Sequence, residues 1–387
     1  MDVGWGTRNQ IVATAMSEPA KRFVLSQLEK TGVLVDGPNP WDPQVSNERL
    51  WARLLGEGTR GLGESYMDGW WDAEDLDGFL FRLTSSHVQD AFPKDLAAMW
   101  SVAKGRLLNL QRLRATEVGE KHYDIGNDLY SAMLDRRMIY SCGYWKDADD
   151  LDAAQEAKLD LICRKVGLAP GMHILDIGSG WGGFLQFAAE RYGVSGVGVT
   201  ISKEQAALAN ERTAGLPVET RLLEYQALDG QFDRIISIGM FEHVGYKNYR
   251  AYFEKAASLL RPDGLMLLHT IGGHRSTTHG DPWSEKYIFP NGMLPSIAQI
   301  GKAIEGLFVM EDWHNFGADY DRTLTAWRDR FDAAWPSLRG EKYDERFRRM
   351  WRYYLSTFAA VFRARNISLW QVVLSPRGVA GGYASIR

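Results

Sequence analysis

Two patterns of apolar and polar positions divide the chain. From Ile11 to about Arg114 apolar residues recur at helical spacing, interrupted by the loop DGPNPWDP and by glycine-rich turns within GEGTRGLGESYMDGWW. This stretch is expected to be mostly helical. From Met172 the pattern changes to short apolar runs, HILDI, GVGVT, VETRLL, DRIISIG and LMLLHTI, with helical segments such as SKEQAALANERTA and NYRAYFEKAASLL between several of them. A run that is apolar at successive positions suits a strand buried on both faces. Alternation of such strands with helices predicts a doubly wound parallel sheet. A late run, ISLWQVVLS, predicts one more strand near the C-terminus, and no internal repeat or low-complexity segment interrupts the pattern.

Composition narrows the classes of function. With 387 residues, 45% of them hydrophobic, the chain can bury one large core and a smaller one. A net charge of -4 and a pI near 6.1 argue against nucleic acid as the main partner, because neutralising phosphates calls for a strongly basic domain. Cys142 and Cys163 lie far apart, with no Cys or His at metal-ligand spacing, so neither a disulfide framework nor a metal site is expected and a reducing cytoplasm fits. The opening MDVGWGTRNQIVATAM has no basic region followed by an apolar run, and no stretch has the eighteen or so apolar residues that span a bilayer. A soluble protein, or one held at a membrane surface, is expected.

Candidate chemistry gathers at strand ends. LDIGSGWGGF puts Gly178, Gly180, Gly182 and Gly183 between the first of these strands and a helix, where glycine lets backbone approach a ligand and the helix start offers free N–H groups. Taken alone, the run also fits a turn needed only for packing. A dinucleotide site would place an acid at the end of the second strand, and Thr200 stands there instead. Asp176 lies inside the first strand, where S-adenosylmethionine-dependent methyltransferases of this fold carry their acid. In ISIGMFEHVGYKNY a buried strand runs into Glu242 and His243; Glu242 suits either helix initiation or catalysis, and His243 reads as structural. His269 ends LMLLHT at the edge of the sheet where ligands bind, which favours function. Cys142 reads equally as a small buried apolar residue, and Tyr320 is one aromatic among many.

The segments GLGESYMDGWW, KHYDIGNDLY, YSCGYW, LDIGSGWGG, GVTISKEQ, FDRIISIGMFEHVG, MEDWHNFGADYD and YYLSTFAAVFRARNISLWQVVLS, in that order, resemble the bacterial cyclopropane-fatty-acyl-phospholipid synthases. The resemblance runs from about Arg49 almost to the last residue. GLGESYMDGWW resembles the branch acting on phospholipids, in distinction from the mycolic acid cyclopropane synthases that share the core. The resemblance implies an α/β fold, a Rossmann-like class I methyltransferase with a seven-stranded doubly wound sheet at 116–387 and a smaller helical domain at 1–115.

It also implies a reaction. The methyl of S-adenosylmethionine is electrophilic and a cis alkene is a poor nucleophile, so methyl transfer leaves a carbocation and ring closure removes a proton from the added methyl. Such a site needs a base, few waters and a cation-tolerant lining. In the family that base is a bound bicarbonate, and the positions matching its pocket are Cys142, Glu242, His269, Ile271 and Tyr320. Glu242 would accept the bicarbonate O–H while His269, Tyr320 and backbone amides donate to its other oxygens. Positions matching the cofactor site are Tyr140, Ser141, Asp176, Gly178, Gly180, Thr200, Ile201, Gln205 and Glu224.

Family resemblance further implies a homodimer that engages unsaturated phospholipid in the bilayer, cytoplasmic and peripheral to the inner face of the membrane. MWSVAKGRLLNLQRLR is a basic amphipathic stretch suited either to anionic lipid or to packing on a core, and RFRRMWRYYLSTFAAVFRAR suits an acyl route with arginines for a phosphate headgroup. Three other readings stay open: a related methyltransferase making a methyl-branched lipid, one making an N-methylated small molecule, and a non-catalytic lipid-binding relative.

Overall fold

The computed structural model describes residues 18–88 and 126–387. Contacts divide the chain into two compact units. One comprises Asn109–Gly280, Phe289–Leu338 and Ile367–Arg387; the other comprises Met1–Leu108, Asp281–Ile288 and Arg339–Asn366.

The larger unit is built on seven strands: β1 His173–Ile177, β2 Ser195–Thr200, β3 Val218–Leu222, β4 Phe232–Ile238, β5 Leu260–Gly273, β6 Val309–Asn315 and β7 Ile367–Ser375. Their order across the sheet is β3-β2-β1-β4-β5-β7-β6. The first five are parallel, but β7 enters between β5 and β6 and runs antiparallel to both. The sheet has the seven strands expected, parallel over the first five and antiparallel at β7. Helices α1 Asn127–Met133, α2 Leu151–Lys165, α3 Gly183–Tyr192, α4 Lys203–Arg212, α5 Tyr249–Leu259, α6 Ile297–Ile304 and α7 Asp319–Ala334 belong to the same unit.

Continuous apolar runs form the five inner strands because both of their faces are covered. Ile174 and Leu175, Ile236 and Ile235, Leu267 and Leu268, and Val373 and Val372 fall in turn into two separate buried clusters, as the two-residue period of a strand requires. Asp176 shares the face of Ile174 and is itself buried, an exception inside an apolar strand. Polar caps set the helix starts: Asp150 accepts from the Ala153 N–H at α2, Ser202 from Gln205 at α4, and Ser296 with Gln299 forms a capping box at α6.

The smaller unit packs the helix Leu50–Met67, which is broken at Gly58, with the helices Leu76–Ser85, Pro282–Tyr287 and Glu345–Arg363. Tyr66, Trp71, Phe79, Tyr353 and Trp283 form its aromatic centre, with ring centroids 4.7 to 5.6 Å apart along the chain of contacts. Arg349 donates to the carbonyls of Tyr66 and Trp71 and pairs with Asp72, while Arg346 pairs with Asp68. These two arginines of the RFRRMWRYY stretch therefore hold the unit together. The expected domain boundary at 115/116 and the basic stretch carrying Lys104, Arg106, Arg112 and Arg114 lie outside the described residues.

Candidate active site

The carboxyl ends of β1, β2 and β4 open on a cavity of about 220 Å³ within the larger unit. All nine residues matched to a cofactor site line it: Tyr140, Ser141, Asp176, Gly178, Gly180, Thr200, Ile201, Gln205 and Glu224. Gly178, Gly180 and Gly182 have φ of 84°, 53° and 76°, a region a side chain resists. At Gly178 a Cβ would also lie 2.6 Å from that of Met240, so the loop leaves room only for backbone. Thr200 donates its hydroxyl to Gln205 at 2.8 Å, fixing both at the end of β2. Ile201 is partly exposed and offers an apolar surface, while Glu224 stands exposed before the turn Tyr225–Ala227.

Asp176 at the cavity floor is fully enclosed, and its Oδ1 has no hydrogen-bond partner. Burial raises its pKa to about 7, a shift limited by the nearby Lys158 ammonium. An enclosed acid lining a glycine-walled cavity, beside an apolar surface and a rim carboxylate, fits S-adenosylmethionine: an amino-acid end with an α-ammonium, a ribose and an adenine.

The five positions matched to a bicarbonate pocket do not line this cavity but stand on the elements around it, in two groups. Glu242 sits in the short 3-10 turn Phe241–His243 after β4, and its Oε1 accepts from the Ile271 backbone N–H on β5 at 2.7 Å. Ile238 and His269 are paired in the β4–β5 register, and Gly239 donates to the His269 carbonyl at 2.9 Å. Glu242, His269 and Ile271 are thus brought together. Burial lifts the Glu242 pKa to about 7 against the lowering effect of the Ile271 amide. Burial also drives the His269 imidazolium pKa well below its usual value, so the ring is neutral. Gln371 on β7 lies with Nε2 3.3 Å from His269 Nδ1; a donating amide there makes Nδ1 the acceptor and leaves the proton on Nε2. Both Glu242 Oε2 and His269 Nε2 are buried without a partner.

The second group joins Cys142 and Tyr320 through α7. Cys142 Sγ lies 3.2 Å from the Gly143 carbonyl and 3.8 Å from Thr323 Oγ1, and Thr323 is one turn along from Tyr320. Thr323 Oγ1 also accepts from the Gly143 N–H and from Trp145 Nε1. Tyr320 is buried, with its ring 6.1 Å from that of Trp327, which in turn lies 5.1 Å from Tyr140. Phe316, 5.9 Å from the His269 ring, completes an aromatic and largely dry surround. Several supporting residues carried no signal in the sequence: Gln155 donates to the Ser141 carbonyl at 2.7 Å, Lys158 to its hydroxyl at 2.9 Å, and Gln371 faces His269.

A family model described as mycolic acid cyclopropane synthetase matches residues 110–372. The chain belongs to this family. It is 54% identical over 362 residues to a cyclopropane-fatty-acyl-phospholipid synthase of Escherichia coli (strain K12), covering 93% of this chain and 94% of that protein. A tuberculostearic acid methyltransferase of Mycobacterium tuberculosis is 36% identical, covering 84% of this chain and 81% of that protein. Among solved structures, the mycolic acid cyclopropane synthase CmaA1 complexed with SAH and CTAB aligns with a TM-score of 0.61 and 34% identity, over 67% of this chain and 97% of that one. By family and fold the chain is an S-adenosylmethionine-dependent methyltransferase.

Proposed function

We propose that this chain is a cyclopropane-fatty-acyl-phospholipid synthase, adding a methylene from S-adenosylmethionine across the cis double bond of an unsaturated phospholipid acyl chain, with bicarbonate as the base. The observation that carries this reading is the pair of buried, unpartnered atoms Glu242 Oε2 and His269 Nε2 beside the cavity, in a chain 54% identical to an enzyme of that name. When bound, S-adenosylmethionine supplies the methyl electrophile and bicarbonate the proton acceptor.

The residues of the chain bind and orient. Asp176 and the backbone of Gly178 and Gly180 hold the amino-acid end of the cofactor, Thr200, Ile201 and Gln205 its ribose and adenine side, and Glu224 the adenine amino group. Tyr140 and Ser141 border it. His269 Nε2–H donates to an anion and Glu242 Oε2 accepts from an O–H, a pairing that suits bicarbonate, which carries both. Tyr320 and the backbone beside Cys142 close that pocket. Ile271 acts through its amide, which holds Glu242 in place.

The substrate lies in a bilayer, so the enzyme works as a peripheral protein on the inner face of the membrane and, by family habit, as a homodimer. No helix among the described residues is long and apolar enough to cross a membrane. The test is product analysis: pure protein with S-adenosylmethionine, bicarbonate and vesicles of unsaturated phosphatidylglycerol should yield acyl chains that gain one CH₂ and lose the alkene, with cyclopropane ring protons in the NMR spectrum. A product of the same mass that keeps a double bond would replace this reading with methyl-branched lipid synthesis.

A further inference from the structure

Lys158 projects from α2 with none of its surface exposed and lines the same cavity as Asp176 and Ser141. Burying an ammonium is costly and persists only where acceptors or opposite charge offset it. Its hydrogen bond goes to Ser141 Oγ at 2.9 Å. Two carboxyls act on it, Asp135 and Asp176, and they differ in kind. Both oxygens of Asp135 are occupied, accepting from the backbone N–H groups of Arg137 and Ile139 at 2.9 and 2.7 Å. Asp176 has an oxygen without a partner and faces the cavity. The other titratable groups within this field are Cys142 ahead of α2, His269 on β5 and Tyr252 on α5.

We infer that Lys158 is a positioning residue for the cofactor: its ammonium favours the anionic form of Asp176 toward the cavity and pins Ser141, so that the α-ammonium of the ligand's amino-acid end meets a carboxylate. This rests on the cavity being the S-adenosylmethionine site. The hydrogen bond to Ser141 at 2.9 Å holds the ammonium in place. Without Lys158, Asp176 would take up a proton at neutral pH, since burial already pushes it to about 7 with the lysine present.

Titration calorimetry with S-adenosylhomocysteine between pH 6 and 9 tests this on the full chain. Lys158→Met should weaken binding about fivefold or more at pH 7, equivalent to one unit or more of upward shift at Asp176 from about 7, and recover toward the wild-type value by pH 9. In an Asp176→Asn background the same change should have no pH-dependent effect. Undiminished affinity, or a loss equal at every pH, overturns the inference. Should Lys158→Met fail to fold, the double variant Lys158→Met/Asp176→Asn, which removes both charges, should fold; failure of both would assign Lys158 a packing role and overturn the proposal. Wild-type protein that does not bind S-adenosylhomocysteine would instead remove the cofactor reading of the cavity, and this inference with it.

Discussion

Ile271 donates its backbone N–H to Glu242 Oε1 across 2.7 Å, which ties the turn after β4 to the end of β5. One oxygen of a buried carboxyl is thereby spent on holding the group in place. The other, Oε2, stays without a partner and is the oxygen available to a ligand.

That burial has a pH signature. The Glu242 pKa is raised from 4.5 to about 7, so between those values the folded state binds a proton that the unfolded chain releases. Stability from this group is therefore full below about pH 4.5 and is lost as pH rises through 7. Asp176, raised from 3.8 to about 7, acts in the same direction. Glu242→Gln should raise the melting temperature at pH 8, by the equivalent of about 1–3 kcal/mol, and much less at pH 5. Melting curves at the two pH values decide, and an equal shift at both would contradict the assignment.

Bicarbonate should be a kinetic requirement. Turnover in carbonate-depleted buffer is expected to fall and to recover with saturation on adding bicarbonate. Glu242→Gln should lower kcat by about 10²–10⁴-fold, as for loss of a well-placed acid–base element, and raise the bicarbonate concentration needed for half-maximal rate. Wild-type turnover after rigorous carbonate removal would make Glu242 the direct base.

The two glycines ahead of α3 should fail differently. Gly178→Ala drives a Cβ into Met240 at a φ of 84°, so it should destabilise the fold by about 1–3 kcal/mol. Nothing lies within 4 Å of a Cβ at Gly180, so Gly180→Val is strained only by its φ of 53°, at about 1–3 kcal/mol, and should leave a folded protein that no longer binds S-adenosylhomocysteine. Calorimetric affinity beside a thermal melt separates the two, and unchanged affinity in folded Gly180→Val would take the loop out of the site.

Both thiols should be silent. Cys142 and Cys163 are fully buried, and burial pushes both pKa values upward, away from the reactive thiolate. A disulfide-exchange reagent should label neither in the native protein and both after denaturation. Rapid native labelling of Cys142 would show that its pocket opens to solvent.

Glu64 in the smaller unit offers a contrast within one ion pair. Its buried carboxylate takes Lys286 at 2.7 Å, the Tyr287 hydroxyl at 3.0 Å, and Arg53. The Lys286 side chain is 50% exposed and that of Glu64 only 8%. Glu64→Ala should therefore cost about 1–3 kcal/mol, because it removes the buried acceptor shared by Arg53, Lys286 and Tyr287 while Arg53 keeps Asp68 at 2.8 Å, whereas Lys286→Met should cost less than about 1 kcal/mol. Denaturant unfolding of the two variants checks the ratio, and equal costs would refute it.

What could be read from the sequence followed from how local each signal was. Five of the seven strands read as apolar runs because both of their faces are covered, and a sixth, β3, was read from VETRLL although it lies at one edge of the sheet with most of its side chains exposed. The exception is β6, VMEDWHN, an edge strand whose Glu311, Asp312 and His314 broke the pattern; Asp312 is nonetheless buried, accepting from Ser385 at 2.9 Å and Arg387 at 2.6 and 2.8 Å. That nine positions would line one cavity was legible because they lie in short motifs at strand ends or in YSCGYW. Lys158 was not, since one lysine in LDAAQEAKLDLICRK reads as a solvent-facing charge until packing encloses it. The Glu242–Ile271 bond spans 29 residues and depends on the β4–β5 pairing, which no local pattern reports. Arginines in RFRRMWRYY suggested a ligand because unpaired cations are what a sequence displays; their partners Tyr66, Asp68, Trp71 and Asp72 lie nearly 280 positions earlier.

The smaller unit draws Trp283 and Tyr353 from far along the chain to finish an aromatic centre begun by Tyr66, Trp71 and Phe79. On a ribosome adding about 5–20 residues per second, the early aromatics wait tens of seconds for Tyr353 to emerge. During that interval the β1 to β5 segment is already complete, so the sheet can form before the helical unit does. A nascent chain halted short of Tyr353 would carry uncovered tryptophan, and such chains are natural clients for a chaperone.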